Sequence, residues 1–186
     1  MAWGQAGARG IDDLVRRIAD NDPKLQSLTI LRQRRFNHDD VTALVRALSS
    51  NTHLTELYAS NHPLAPRTAA LLAGLLAAGG SRLRALCVGD GSLGDEGVAE
   101  LARGLAGSSS LQRLDLGGKG VGVRGAEALA AALAASTSLS HLILSANPGL
   151  SDAGLAALCN GASPAPAPDN NNNTNGEGCT TAGPPS

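Results

Sequence analysis

The feature that most restricts what this chain can become is a leucine that returns at a fixed interval. Leu25, Leu54, Leu83, Leu111 and Leu139 are separated by 29, 29, 28 and 28 residues. Each opens the pattern L-x-x-L-x-(apolar): Leu25/Leu28/Ile30, Leu54/Leu57/Ala59, Leu83/Leu86/Val88, Leu111/Leu114/Leu116 and Leu139/Leu142/Leu144. Another apolar residue follows each start by ten or eleven positions: Phe36, Leu64, Leu93, Val121 and Leu150. Pairs at helical spacing come next (Leu44/Leu48, Leu72/Leu76, Leu101/Leu105, Leu129/Leu133), and the last repeat keeps only Leu158. Self-similarity at such a period marks a stack of identical units rather than one closed core.

Two periods inside each unit say what it is. In L-x-L the apolar residues alternate, so they point to one side of a short strand. Farther on they recur every three or four residues, which is one face of a helix. Each repeat is therefore strand, turn, helix and return, and neither element can bury its apolar side alone. Stacking makes a parallel sheet on one side and a helical layer on the other, with leucine between. The apolar content fits: it is 42% of the chain, but only one Trp, one Tyr and one Phe contribute to it. Leucine with small residues suits thin layers at a fixed spacing. The predicted class is α/β. Leu93-Gly94-Asp95-Glu96-Gly97 and Leu150-Ser151-Asp152-Ala153-Gly154 share L-x-D-x-G, which places Asp95 and Asp152 to cap helix starts. Val123 holds the corresponding position in the fourth repeat, so that helix is expected to lack the cap. Asn37 or His38 starts the first repeat's helix.

The 28/29-residue alternation, L-x-x-L-x-L and L-x-D-x-G resemble leucine-rich repeats of the ribonuclease-inhibitor-like type, as in the repeat domains of NOD-like receptors and Ran GTPase-activating proteins. The resemblance covers roughly residues 25–160. It implies a right-handed solenoid, a short horseshoe arc with the parallel sheet on the concave face and helices on the convex face. One departure stands out. The family places Asn or Cys after the strand to bond backbone between turns, and here that column reads Gln33, His62, Gly91, Lys119 and Asn147. Only Asn147 matches, which predicts a looser middle of the stack.

The resulting organisation is a flexible N-terminus over 1–10, a capping helix or half-repeat over 11–24, five repeats over 25–161, and a disordered tail over 162–186. In the cap, Ile11, Leu14, Val15 and Ile18 share one helical face. The tail is rich in Pro, Asn and Gly, a composition that cannot form a core. No polar cap precedes it, so the strand around Leu142–Leu144 is left with an open edge. Three outcomes fit: the tail folds over the edge, two copies self-associate end to end through the uncapped C-terminal repeat, or the chain is a truncated or fragmentary version of a longer array.

Residues between the inward positions of each strand face the partner side. One such column is Ser27, Glu56, Ala85, Arg113 and His141; the next is Thr29, Tyr58, Cys87, Asp115 and Ile143; a third is Leu31, Ser60, Gly89, Gly117 and Ser145. Interface energy concentrates in Tyr, Trp and Arg, so the candidate anchors are Tyr58 and Arg113, with Glu56, Asp115, His141 and Ile143 around them. The predicted function is a non-catalytic scaffold that binds a protein partner on its concave face. The alternative, drawn from the resemblance alone, is a GTPase-activating regulator similar to the Ran GTPase activators. The cluster Arg32, Arg34 and Arg35 at the first strand-to-helix turn could contact an acidic partner or phosphates, or be simply solvated.

Other classes find little support. A net charge of −1 argues against general nucleic-acid or anionic-membrane binding. The longest apolar stretch, Ala69 to Ala78, is too short to span a bilayer. Cys87, Cys159 and Cys179 are odd in number and far apart, which reads as reduced thiols in a cytoplasmic protein. His38, His53, His62 and His141 share no metal-ligand spacing, and no phosphate-binding loop is present. No catalytic residue, cofactor or metal is expected.

Overall fold

In the computed structural model, which describes residues 10–162, strands and helices alternate along the chain. Helix α1 (Asp12–Ala19) precedes β1 (Ser27–Thr29) and α2 (His38–Leu48). Then follow β2 (Glu56–Ser60), α3 (Pro66–Ala77), β3 (Ala85–Gly89) and α4 (Gly94–Gly107). The last pairs are β4 (Arg113–Asp115) with α5 (Val123–Ala135), and β5 (His141–Ile143) with α6 (Asp152–Ala162). The five strands lie in chain order and every pair is parallel. Parallel strands need a crossover, and the helix in each repeat supplies it.

The register shows why the leucine interval matters. Leu28 pairs with Leu57, Leu57 with Leu86, Leu86 with Leu114, and Leu114 with Leu142. The repeat length thus sets leucine beside leucine across the sheet. The first four strand sets, from Leu25/Leu28/Ile30 to Leu111/Leu114/Leu116, are all buried. Leu139, Leu142 and Leu144 of the fifth are only half-buried. No sixth layer follows to cover them among the described residues.

Small residues set the spacing of the helices. A Cβ on Gly104 would lie 2.5 Å from the Cα of Ala73 and 2.7 Å from its carbonyl oxygen, so α4 meets α3 backbone to side-chain-free backbone. Gly161 stands in the same relation to Ala130, joining α6 to α5. This is where the alanine- and glycine-rich composition goes: it lets helices approach to match the narrow strand spacing.

Helix starts differ from the sequence expectation in an instructive way. Asn37 does cap α2, accepting from the Asp40 amide at 3.0 Å, while the Asp40 carboxylate accepts from the Asn37 amide at 2.9 Å. Asp95, however, does not cap its own helix; the N-cap of α4 is Leu93 and makes no side-chain bond. Asp95 Oδ1 accepts from the Gly122 amide at 2.6 Å, at the start of α5. Helix α5 has no side-chain cap of its own, as expected, and the third repeat instead holds the amide of its N-cap residue. Gly122 and Gly125 leave the room it occupies, since a Cβ on either would fall within 2.9 Å of an Asp95 oxygen.

The polar column after the strand is also better served than its residue types imply. Asn147 Nδ2 donates to the Leu116 carbonyl at 2.8 Å and Asn147 Oδ1 accepts from Val121 N at 3.0 Å. His62 Nε2 lies 3.2 Å from the carbonyl of Ile30, the equivalent residue one repeat before it, so that nitrogen carries the proton. Lys119 is buried (4% exposed) and donates to Ser60 Oγ at 3.2 Å. It reaches from the turn after β4 across to the end of β2. Only Gln33 and Gly91 of this column are exposed.

A second polar column escaped the sequence reading. Where each helix returns to a strand, a side chain accepts the amide of the repeat's opening leucine. Asn51 Oδ1 takes Leu54 N at 2.7 Å, Ser81 Oγ takes Leu83 N at 3.1 Å, Ser108 Oγ takes Leu111 N at 3.2 Å and Ser136 Oγ takes Leu139 N at 3.4 Å. Asn51 Nδ2 also donates to the Ile18 carbonyl at 2.9 Å, tying α1 to the stack.

The remaining ties at the N-terminal end explain part of the basic cluster. Arg34 forks onto the Asp13 carboxylate at 2.7 and 3.1 Å and onto the Gly10 carbonyl at 3.0 Å. Arg35 pairs with buried Asp40 at 3.2 Å. These two arginines hold the first layer together and are not offered to a partner; Arg32 stays exposed. Residues 1–9 and 163–186, and with them most of the expected flexible terminus and tail, lie outside the described residues. No helix among the described residues is long and apolar enough to cross a membrane.

Candidate functional site

The outward face of the sheet is built by the same alternation that buries the leucines. In β2 the alternate residues Glu56, Tyr58 and Ser60 are half-buried while Leu57 and Ala59 are buried. Register then lines up the columns: Ser27, Glu56, Ala85, Arg113 and His141 pair in sequence, as do Thr29, Tyr58, Cys87, Asp115 and Ile143. All six candidate residues therefore lie on one face.

They do not all share one hollow. Glu56, Tyr58, Arg113 and His141 line a depression of about 370 Å³, together with Arg84 and Gln112. Asp115 and Ile143 sit one step farther along their strands and outside it. Arg84 and Gln112 are functional candidates that the sequence reading missed. They belong to a fourth column, Gln26, Thr55, Arg84, Gln112 and Ser140, one residue after each opening leucine. Its signal was the same 28/29 spacing, read one position too late to notice.

The backbone of this column is tightly held. The Gln26 carbonyl accepts from the amides of both Thr55 and Glu56. The Thr55 carbonyl takes Arg84 and Ala85, the Arg84 carbonyl takes Gln112 and Arg113 at 2.8 Å each, and the Gln112 carbonyl takes Ser140 and His141 at 2.9 Å each. Side chains that project from here start from fixed points, which lowers the ordering cost of binding.

Electrostatics across the face are local. Burial pushes the Tyr58 hydroxyl above its ordinary value, the nearby Glu56 charge adds to this, and Arg113 opposes it. Cys87 is buried and its thiol is also pushed up, first by burial, against a hydrogen bond to Ser60 at 2.8 Å. A thiol held protonated is a poor nucleophile. Asp115 Oδ1 is occupied by the Gly117 amide at 2.9 Å, and His141 Nδ1 lies 2.9 Å from Ser140 Oγ. Among the described residues no group of three or more His, Cys, Asp or Glu is placed to hold a metal.

No family model matches the chain, and no curated protein matches it in sequence. Solved structures do match. Leiomodin-1 Actin-Binding Site 2 superposes with a TM-score of 0.65 at 16% identity, over 82% of this chain and 87% of that one. The tropomodulin C-terminal domain from Caenorhabditis elegans gives 0.65 at 18% identity, over 82% and 90%. The fold is similar to that of the tropomodulin C-terminal domain. At these identities the likeness is one of architecture, and the near-complete coverage on both sides means that a unit of this size stands as a domain in the tropomodulin and leiomodin structures too. A leucine-rich-repeat-like parallel sheet backed by helices is thus shared, while the outward side chains are this chain's own.

Proposed function

We propose that this chain is a non-catalytic protein-docking module that receives its partner on the exposed face of the sheet, the concave side of a right-handed arc of ribonuclease-inhibitor-like leucine-rich repeats. A right-handed course is what strand–helix–strand crossovers between parallel neighbours almost always take. One observation carries the reading: Tyr58, Arg113 and His141 converge with Arg84 on one hollow whose backbone is fixed by the paired amides of successive repeats. Tyrosine and arginine are the side chains in which binding energy concentrates. Such a module would work in the cytoplasm, where its thiols stay reduced.

Actin is the first partner to try, because one structural neighbour is by name an actin-binding site. Co-sedimentation with filamentous actin and calorimetry with monomeric actin provide the measurement. With actin or any other purified partner, Tyr58→Ala and Arg113→Ala are expected to weaken binding by about 1–3 kcal/mol each without unfolding the chain. A partner that binds equally well to both variants would place the interface elsewhere and overturn the assignment.

The C-terminal end supports a second contact, between two copies. Half-buried Leu139, Leu142, Leu144 and Leu150 meet no further layer among the described residues, and β5 has one free edge. The opposite end is closed by α1, so pairing would be isologous, β5 against β5. Sedimentation equilibrium tests it: a monomer at all accessible concentrations removes this contact.

A further inference from the structure

We infer that the docking face takes an extended, acidic segment of a partner protein that also carries an apolar side chain, with carboxylates on Arg84 and Arg113 and the apolar group beside Tyr58 and Leu31. The inference rests on the sheet-face reading above and goes beyond it by fixing the chemistry of what binds there.

The first observation is a group of arginines, unpaired among the described residues, gathered on adjoining hollows. Four ion pairs occur among the described residues, and they engage Arg17, Arg34, Arg35 and Arg103, none of which is on the sheet face. Arg82, Arg84 and Arg113 are exposed and have no carboxylate within 4.0 Å among the described residues. They are neighbours by construction, since the amides of Gln112 and Arg113 both bond the Arg84 carbonyl. Arg82 borders a second hollow of about 370 Å³ that shares Arg84 and Gln112 with the first. The one carboxylate that lines either hollow is Glu56, whose charge acts on the Tyr58 hydroxyl. Three guanidiniums thus stand around two adjoining depressions with one carboxylate between them. In a chain whose total charge is −1, that is a local excess with a direction.

A second observation extends the site beyond charge. Tyr58 belongs to two hollows at once: the basic one, and a smaller one of about 290 Å³ that it shares with Leu31. Leu31 is 61% exposed, the most exposed of the large apolar side chains among the described residues. An aromatic ring therefore stands between an arginine pocket and an uncovered leucine. The path from Arg113 on β4 across β3 and β2 to Leu31 just beyond β1 crosses three strand spacings, about 14 Å. An extended peptide advances about 3.3 Å per residue, so the carboxylates and the apolar residue of the partner would be about four positions apart. Arginine forks favour carboxylates, because two parallel N–H donors match two oxygens. Nucleic acid fits less well, since the face has one aromatic ring and no run of stacking platforms.

The test uses the intact chain and peptides of about 12 residues, long enough to span the site, recovered from a random phage-displayed library and then measured by calorimetry. The expected result is a consensus that joins Asp or Glu to a Leu, Ile or Phe about four positions away. Affinity should fall about fivefold or more in the Arg84→Gln/Arg113→Gln double variant, and it should fall as salt is raised. The charge-reversed variant, Arg84→Glu/Arg113→Glu, should bind instead the same peptides with Lys in place of the acidic residues. Circular dichroism checks that each variant keeps its fold. A basic or uncharged consensus, or acidic peptides indifferent to both arginine variants, overturns the inference, as does tighter binding of a short duplex DNA than of any peptide. If selected peptides lose affinity in Tyr58→Ala but not in the arginine variants, the docking face stands and only its acidic preference is wrong. If neither change matters, the face itself is misassigned.

Discussion

Asn147 and His62 perform one task with different atoms. Each donates from a side-chain nitrogen to the carbonyl of the third inward residue in the preceding strand, Leu116 in one case and Ile30 in the other. A buried carbonyl left without a donor costs about 1–3 kcal/mol, so the position selects for reach and an N–H rather than for one residue type. Asn147→Ala should therefore destabilise by about 1–3 kcal/mol in urea denaturation. It leaves the Leu116 carbonyl with only the longer bond from the Lys119 amide, at 3.3 Å, and frees the Val121 amide. His62→Asn should be far milder than His62→Ala, since the amide can take over the bond, although the edge contact with Phe36 at 5.3 Å would be lost. A matching motif letter was legible in the sequence only at Asn147. The other positions were not legible because the stack asks for a geometry, and a histidine ring or a long lysine stem satisfies it from farther away.

At the level of elements, α4 shows how far composition alone can be followed. Its leucine period announced a helix, and its inward face is the one expected. What the period could not show is that Gly104 lies against the backbone of Ala73. In isolation, Gly104→Ala would favour the helix by about 1 kcal/mol. Here the new methyl group would meet main-chain atoms at 2.5 and 2.7 Å that cannot swing aside. Overpacking of this kind costs about 1–3 kcal/mol, so the substitution should lower the urea midpoint despite the better propensity. The opposite sign would mean that α3 and α4 slide apart cheaply. Helix α2 offers the contrasting case: Asn37→Ala removes a reciprocal cap and should cost about 1 kcal/mol by the same measurement. In the sequence Asn37 and His38 were alternatives for that start, and the structure puts the cap at Asn37. The service of Asp95 to the next repeat was invisible because its partner, Gly122, lies 27 positions away.

Across the whole molecule, one repeat interval fixes the sheet order, the register and the inward columns, and these were readable because leucine spacing and strand pairing are the same geometric statement. Leu114, buried between β3 and β5, should cost about 2–5 kcal/mol when cut to Ala. The docking face was readable to the extent that alternation tells outward from inward. The convergence of Arg84 with Arg113 was not, because neighbouring side chains come together from different repeats only once the layers are stacked. The two ends of the pile differ as well. At one, α1 is fastened by Arg34, Asn51 and Asn21; at the other, the leucines of the last layer are half uncovered. Unfolding in such a linear molecule need not be all or none, since each layer leans only on those beside it. Amide hydrogens of β5 and α6 should accordingly trade with solvent soonest and those of fully buried β3 last, so that the protein unzips from its C-terminal end toward a latched beginning. A partner lying across Arg113 and His141 would grip the chain just where the teeth first part, and would slow that opening as a direct consequence of being bound.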